Sequence, residues 1–399
     1  MFGDAGSGVQ NTQVNVRGAG VEAAAENRAL GGLALVFDAP DEGWVSMQRV
    51  GEELERALRA AGEPVARLQW PLPRLARAAS PARRAFNVDR ALGRFGLYPV
   101  QLLAALRAHR FFHVVDHSYS HLLWVLPPER SGVFCHDLDA YRAALPGTRD
   151  TAEPWRRAMA DIQLAGLKRA AVIFTSTEVT ATELVSRVGV AREKVVVAPY
   201  GTGPEYVPKG GDAPELTPVR AALGGRPYLL HVGSGAPRKR LDRLKAVHAR
   251  LRRDFPGLLL LQHGAPLEVL PADADAGILR TTGPLPPAAI AGLYRGAAAV
   301  LLTSDGEGFG LPVLEALACG APVVASDLPT VREVGGVHVD HVPREDVEAW
   351  ARAVTPHLRH GSAPEVRAQR AAWAGRFSWE AQARVVQQAY RRLAQETFA

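Results

Sequence analysis

Two glutamates eight residues apart, Glu307 and Glu315, bracket a glycine-rich turn in TSDGEGFGLPVLEALACG (303–320). The apolar run AAAVLLTS (297–304) feeds this turn from a buried strand, and Pro312 marks where a helix begins. Proline is preorganised for the first helical turn, and glycine lets backbone amides approach a ligand closely. The amides of Phe309, Gly310 and Leu311 would then meet an anion at a helix start, favoured by the helix dipole. A carboxylate on each side of such a crevice accepts hydrogen bonds from sugar or ribose hydroxyls without a metal. An ordinary helix start with a dipole-favoured acid accounts for Glu315 alone, but not for the glycines and Glu307.

A second constellation, YLLHVGSGAPRKR (228–240), turns through Gly233, Ser234 and Gly235 and then delivers Arg238 and Lys239. Two cations beside a cleft suit a diphosphate leaving group, because they neutralise the charge that develops as a glycosidic bond breaks. Arg238 stands where a dinucleotide fingerprint needs its third glycine, which argues against a dehydrogenase. The bland alternative is a pair of solvated surface cations.

Elements of two kinds must position these loops. Short apolar runs at 32–40, 111–118, 131–138, 170–177 and 194–201 alternate with helical stretches at 45–62, 153–170 and 178–189. Around 201–218 the composition turns to Gly, Pro and polar residues. The alternation then restarts with strands at 226–234, 257–264, 278–283, 297–304, 321–327 and 337–342. Continuous apolar runs separated by helices imply parallel sheets covered on both faces. The fold class is therefore α/β, with two Rossmann-like doubly wound domains facing a cleft. The boundaries read as a mobile tail over 1–30, a first domain over 31–205, a linker over 206–225, a second domain over 226–376 and a closing helix over 377–399.

Composition narrows the function. Hydrophobic residues make up 47% and charged residues 22% of 399, so the chain is globular and long enough for two cores. Its two cysteines, Cys135 and Cys319, read as core residues rather than metal ligands. The start lacks a basic segment followed by an apolar one, so the expectation is a cytoplasmic protein without a signal peptide. The net charge of +6 is concentrated in an Arg-rich stretch over 67–110, where Asp89 is the one acid. Nothing in the stretch resembles a nucleic-acid motif with interleaved aromatics, so nucleic acid is not the expected partner. A solvated surface is the bland reading, and peripheral association with an anionic membrane is the sharper one.

The loop GSGAPRK and the element EGFGLPVLE strongly resemble the C-terminal domain of family-4 retaining glycosyltransferases of the GT-B fold. The similarity covers residues 226–335 well. It continues more loosely through 133–141, 174–185 and 194–206, and FSWEAQARVVQQAYRRL resembles the helix that crosses back to the first domain. The resemblance implies hexose transfer, with mannose the favoured sugar, from a GDP- or UDP-sugar to a glycan or lipid-linked acceptor. Such enzymes retain configuration and use neither a metal nor another cofactor. Arg238 and Lys239 would hold the diphosphate, Glu307 the transferred sugar, Glu315 the ribose, and Ser234 and the amides of 308–311 the rest of the donor. His136 in FCHDL (134–138) would meet the reacting sugar from the first domain; His113, His117 and His121 compete with it. The family's glycine-rich N-terminal loop falls on DAPDEGWVSMQRV (38–50), which offers only Gly43, so Gly43 and Trp44 are the candidates for backbone approach there. Arg240 departs from the family's small or amide residue. A nucleotide-sugar epimerase and a non-catalytic partner subunit on the same fold remain the alternatives.

Overall fold

The computed structural model describes residues 30–80, 82–145, 153–211, 213–264, 277–281, 283 and 285–398. Most of the segment expected to be a tail lies outside the described residues. Leu30 does not: it is buried, and its amide donates to the Glu63 carboxylate at 2.8 and 3.0 Å.

The first domain is a six-stranded parallel sheet in the order β2-β1-β3-β4-β5-β6. Its strands are β1 (Leu33–Val36), β2 (Val65–Leu68), β3 (Phe111–Val114), β4 (Ser131–Cys135), β5 (Val172–Thr175) and β6 (Val195–Val197). The covering helices are α1 (Val45–Ala60), α2 (Leu75–Ala79), α3 (Arg83–Leu92), α4 (Tyr98–Ala105), α5 (Pro154–Arg169) and α6 (Glu178–Glu183). Strand β2 was not legible: at the sheet edge it is half exposed and carries Arg67, so no apolar run announces it.

The second domain repeats the plan in the order β12-β11-β10-β7-β8-β9, again parallel. Its strands are β7 (Tyr228–Val232), β8 (Leu259–His263), β9 (Ile278–Arg280), β10 (Ala299–Leu302), β11 (Val323–Ser326) and β12 (Asp340–Val342). The helices are α7 (Thr217–Leu223), α8 (Leu241–Arg252), α9 (Pro287–Gly296), α10 (Leu311–Ala318), α11 (Pro329–Gly335), α12 (Val347–His360) and α13 (Pro364–Ala374). Helix α7 occupies the stretch read as linker. Both cysteines are fully buried.

The last helix, α14 (Trp379–Phe398), leaves the second domain and packs on the first. Tyr390 donates to the Phe112 carbonyl at 3.0 Å and lies 3.1 Å from Nδ1 of His113, while Gln382 donates to the Ala198 carbonyl at 3.2 Å. The outgoing and returning passages touch. A Cβ on Gly201 would collide with the backbone of Ser378 and Trp379, so only glycine fits there.

Strand order reverses between β1 and β3 in one sheet and between β7 and β10 in the other. Ligands of open α/β sheets bind beyond the carboxyl ends of the strands at such reversals. The loops after β7 and β10 are the two that carry Arg238, Lys239 and Glu307.

Candidate active site

The loop after β7 is locked to the loop after β10. Thr303 donates from its hydroxyl to the Lys239 and Arg240 carbonyls at 2.9 and 3.2 Å, and the Asp305 amide donates to the Arg238 carbonyl at 2.8 Å. Arg240 is the one non-glycine residue with positive φ (49°) among the described residues. That backbone is costly for a side chain bearing a Cβ and needs support from its surroundings. Here Arg240 is tied to Asp242 at 2.8 Å and Asp305 at 3.0 Å. The residue that departs from the family pattern thus serves the turn that aims its two neighbours inward.

Lys239 donates to Oε1 of Glu307 at 2.6 Å. Arg238 donates to Oε2 of Glu307 at 3.3 Å and to the Gly306 carbonyl at 2.8 Å, and Ser304 donates to Glu307 at 2.5 Å. Burial pushes the Glu307 carboxyl up, but Lys239, Arg238 and Ser304 outweigh it and hold it below its ordinary value. The same Arg238 reaches Asp139 of the first domain at 3.2 Å. Ser234 only receives the Ala236 amide at 3.4 Å, within its own turn.

Gly310 has φ of 89° and starts α10, as a glycine can. Phe309 turns into the core against Tyr200 and Phe377, leaving its backbone at the turn. Gly308 meets the first domain: a Cβ there would collide with the His136 carbonyl oxygen, and the Ser176 and Thr177 hydroxyls lie 3.5 and 3.4 Å from its carbonyl. Glu333 on α11 caps the start of α6, accepting from the Glu178 and Val179 amides at 2.7 and 3.1 Å. A chamber of about 370 Å³ remains between the domains, walled by Asp137, Asp139, Arg142, Glu183, Arg238 and Glu307 among others.

Glu315 is buried on α10 and meets a partner that sequence reasoning missed. Arg49 of α1 reaches it at 2.7 Å, and the Tyr294 hydroxyl donates to it at 3.0 Å. Arg49 also donates to the Tyr206 hydroxyl at 3.2 Å. Nothing in VSMQRVGEELERALRAAG (45–62) distinguishes this arginine from surface helix charges.

His136 lies at the end of β4, but both ring nitrogens are engaged. Nδ1 meets the Tyr200 hydroxyl and Nε2 meets the Val115 carbonyl at 2.9 Å. Burial holds the ring neutral, well below the usual imidazole range. His117 accepts the His136 amide at Nδ1 (3.3 Å) and leaves Nε2 facing Asp137 at 3.7 Å. Asp116, His117 and His136 bring ligand atoms within 4.8 Å of one another, yet the engaged ring of His136 leaves that group poorly fitted to a cation. His121 bonds the Arg94 carbonyl at 2.9 Å, and His113 bonds Tyr390, so both are structural.

The loop after β1 forms a short turn, Pro40–Glu42, closed by Gly43 at φ 70°. Its acids face the Arg-rich helices. Asp41 accepts the Leu72 amide at 3.0 Å and pairs with Arg77 at 3.2 Å; Glu42 pairs with Arg90 at 2.7 Å. Trp44 is 46% exposed.

Residues 226–360 match the family model for glycosyl transferases group 1. Over that segment the chain is similar to the group 1 glycosyltransferases. It is 27% identical over 297 residues to the O-antigen chain mannosyltransferase B of Escherichia coli, covering 71% of this chain and 75% of that one. It is 35% identical over 272 residues to a D-inositol 3-phosphate glycosyltransferase of Saccharomonospora viridis, covering 61% of this chain and 60% of that one. The chain thus spans about three fifths of the length of the inositol phosphate relatives. Among solved structures, the sucrose-phosphate synthase of Thermosynechococcus elongatus superposes with a TM-score of 0.65 at 18% identity, over 93% of this chain and 100% of the other. That likeness establishes the GT-B fold of this chain.

Proposed function

We propose that this chain is a glycosyltransferase that moves a hexose from a nucleoside-diphosphate sugar to a glycan or lipid-linked acceptor in polysaccharide or glycolipid synthesis. It works in the cytoplasm, with retention of configuration and without a metal. The observation that carries this reading is the Arg238–Lys239–Glu307 cluster at the strand-order reversal of the second domain. The glycosidic C–O bond breaks and its electron pair passes to the diphosphate oxygen, where Arg238 and Lys239 balance the new charge. The acceptor oxygen bonds to the same face of the anomeric carbon and gives its proton to the departing phosphate. Glu307 holds hydroxyls of the transferred sugar, and Glu315 those of the ribose. Mannose from a GDP-sugar is the favoured donor, in keeping with the name of the Escherichia coli relative.

Calorimetric titration of UDP, GDP, ADP and NAD, without metal, into the wild type and Arg238→Ala/Lys239→Ala tests the reading. Binding of one nucleoside diphosphate, lost in the double variant, supports it and names the base. Binding of none by the folded protein would favour a non-catalytic partner subunit. That alternative draws on one observation, the commitment of Asp41 and Glu42 to the Arg-rich helices.

A further inference from the structure

Nine of the fifteen large apolar side chains that stand exposed among the described residues fall between 44 and 103. Seven of them, Leu75, Val88, Leu92, Phe95, Leu97, Val100 and Leu103, lie on α2, α3, α4 and the π-type turn Gly93–Leu97 that joins α3 to α4. The inner face of α3–α4 is set by Ala85, Asp89, Gly93, Tyr98 and Leu102, all buried. The outer face repeats at 88, 92, 95, 100 and 103, and it too is apolar. A surface helix of a protein in water turns polar residues outward; one that is apolar on both sides needs a second apolar phase to cover it.

The charge on this surface has one sign. Asp89, the only acid between 67 and 110, is buried, with its carboxylate spent on the Ala76 and Arg77 amides at 2.7 and 2.9 Å. Arg77 and Arg90 are engaged by Asp41 and Glu42. Arg74, Arg84 and Arg107 remain exposed around the apolar stripe. Apolar side chains rimmed by arginines, with no exposed carboxylate between 67 and 110, match the interface of an anionic bilayer, where hydrocarbon insertion and attraction to headgroups add.

The patch is also joined to the cleft. The turn after β1 is clamped to it through Asp41 and Glu42, and Trp44 and Val45 (46% and 77% exposed) stand beside that turn at the start of α1, the helix whose Arg49 reaches Glu315. We infer that the outer face of α2–α4 seats on an anionic lipid surface and sets the β1–α1 edge of the cleft against it, so that the acceptor is a lipid-linked sugar drawn from that surface. This rests on the transferase reading and narrows its acceptor to the lipid-linked class. It also revises the reading of 67–110 as a charge effect alone, since several of its arginines are spent inside the protein and the apolar stripe supplies the insertion.

The test is co-sedimentation with vesicles of phosphatidylglycerol and phosphatidylcholine, against phosphatidylcholine alone. Partition onto the anionic vesicles is expected, weakened by roughly 0.5 M salt. It should fall at least about tenfold in Val100→Asp/Leu103→Asp, and about fivefold for each of Arg74, Arg84 and Arg107 changed to Ala. Leu75→Asp, on a separate helix, repeats the apolar test should the pair fold poorly. No partition, equal partition on neutral vesicles, or partition unchanged in these variants would overturn the inference, as would a solution dimer that the same substitutions dissociate. Nucleoside-diphosphate titration of the same variants reads the donor site separately: it should be unchanged, and its absence in the wild type counts against the transferase reading rather than against this surface.

Discussion

Arg49 on the first helix of the N-terminal domain reaches Glu315 on the second domain at 2.7 Å, and it holds the carboxylate that the donor ribose would claim. The neighbouring Tyr206 keeps the guanidinium in place at 3.2 Å. The pair joins the domains, and under the proposed assignment of Glu315 to the ribose a nucleotide would displace it.

Arg49→Ala is therefore expected to tighten nucleoside-diphosphate binding by about threefold to tenfold, because ribose hydroxyls no longer compete with an ion pair of roughly 1 kcal/mol at a part-exposed partner. Calorimetry decides it. Weaker binding would mean that Arg49 itself touches the nucleotide.

At the chemical centre, Glu307→Gln and Lys239→Ala should each lower turnover at least about 100-fold, the scale of a lost transition-state contact. Initial rates with the cognate donor measure this, and near-normal rates in folded variants would sink the assignment of Glu307 and Lys239. The wild-type rate should persist in EDTA, since Arg238 and Lys239 are proposed to balance the diphosphate charge; a strict need for magnesium or manganese would contradict that.

Gly308 is a close joint between the domains. Gly308→Ala places a methyl group against the His136 carbonyl oxygen, and relief requires the domains to part. Turnover should fall at least about tenfold, with little change in the stability of either domain. Small-angle scattering should register a more open molecule, and an unaltered profile with full activity would refute the argument.

Asp38, at the end of β1, is buried, and burial together with Asp116 and Glu42 raises its carboxyl to about 7 against the pull of Arg94. Between about pH 4 and 7 the folded protein keeps a proton that the unfolded chain has lost, so this residue makes stability fall as pH rises through that window. Asp38→Asn should raise the melting temperature at pH 8 by a few degrees and flatten the slope. Thermal scans from pH 5 to pH 8 on both proteins would reveal a persistent slope if another group is responsible.

The fold was legible where burial is continuous. Both sheets, apart from β2, announce themselves as apolar runs, because strands covered on both faces have no polar side to show. Strand β2, helices α3–α4 and helix α13 gave no such signal: they sit at edges or carry arginines whose partners are distant in sequence. The meeting of the loops after β7 and β10 was legible because glycine, proline and paired cations have few other reasons to occur at that spacing. Arg49 was not, since an ion pair between residues 266 apart leaves no trace in either segment. His136 shows a subtler limit. Its position at a strand end was readable, but not that Tyr200 and the Val115 carbonyl take up both nitrogens.

The passage of α14 back onto the first domain fixes how the molecule can move. Two covalent threads run between the domains, and they lie side by side where Gly201 meets Ser378 and Trp379. Bodies tethered at a single place by two parallel cords can fold like a book along that spine but cannot spin or drift apart. Any opening of the cleft is thus confined to a bend about Gly201–Trp379, and closing it would bring Gly308 back to the same carbonyl of His136.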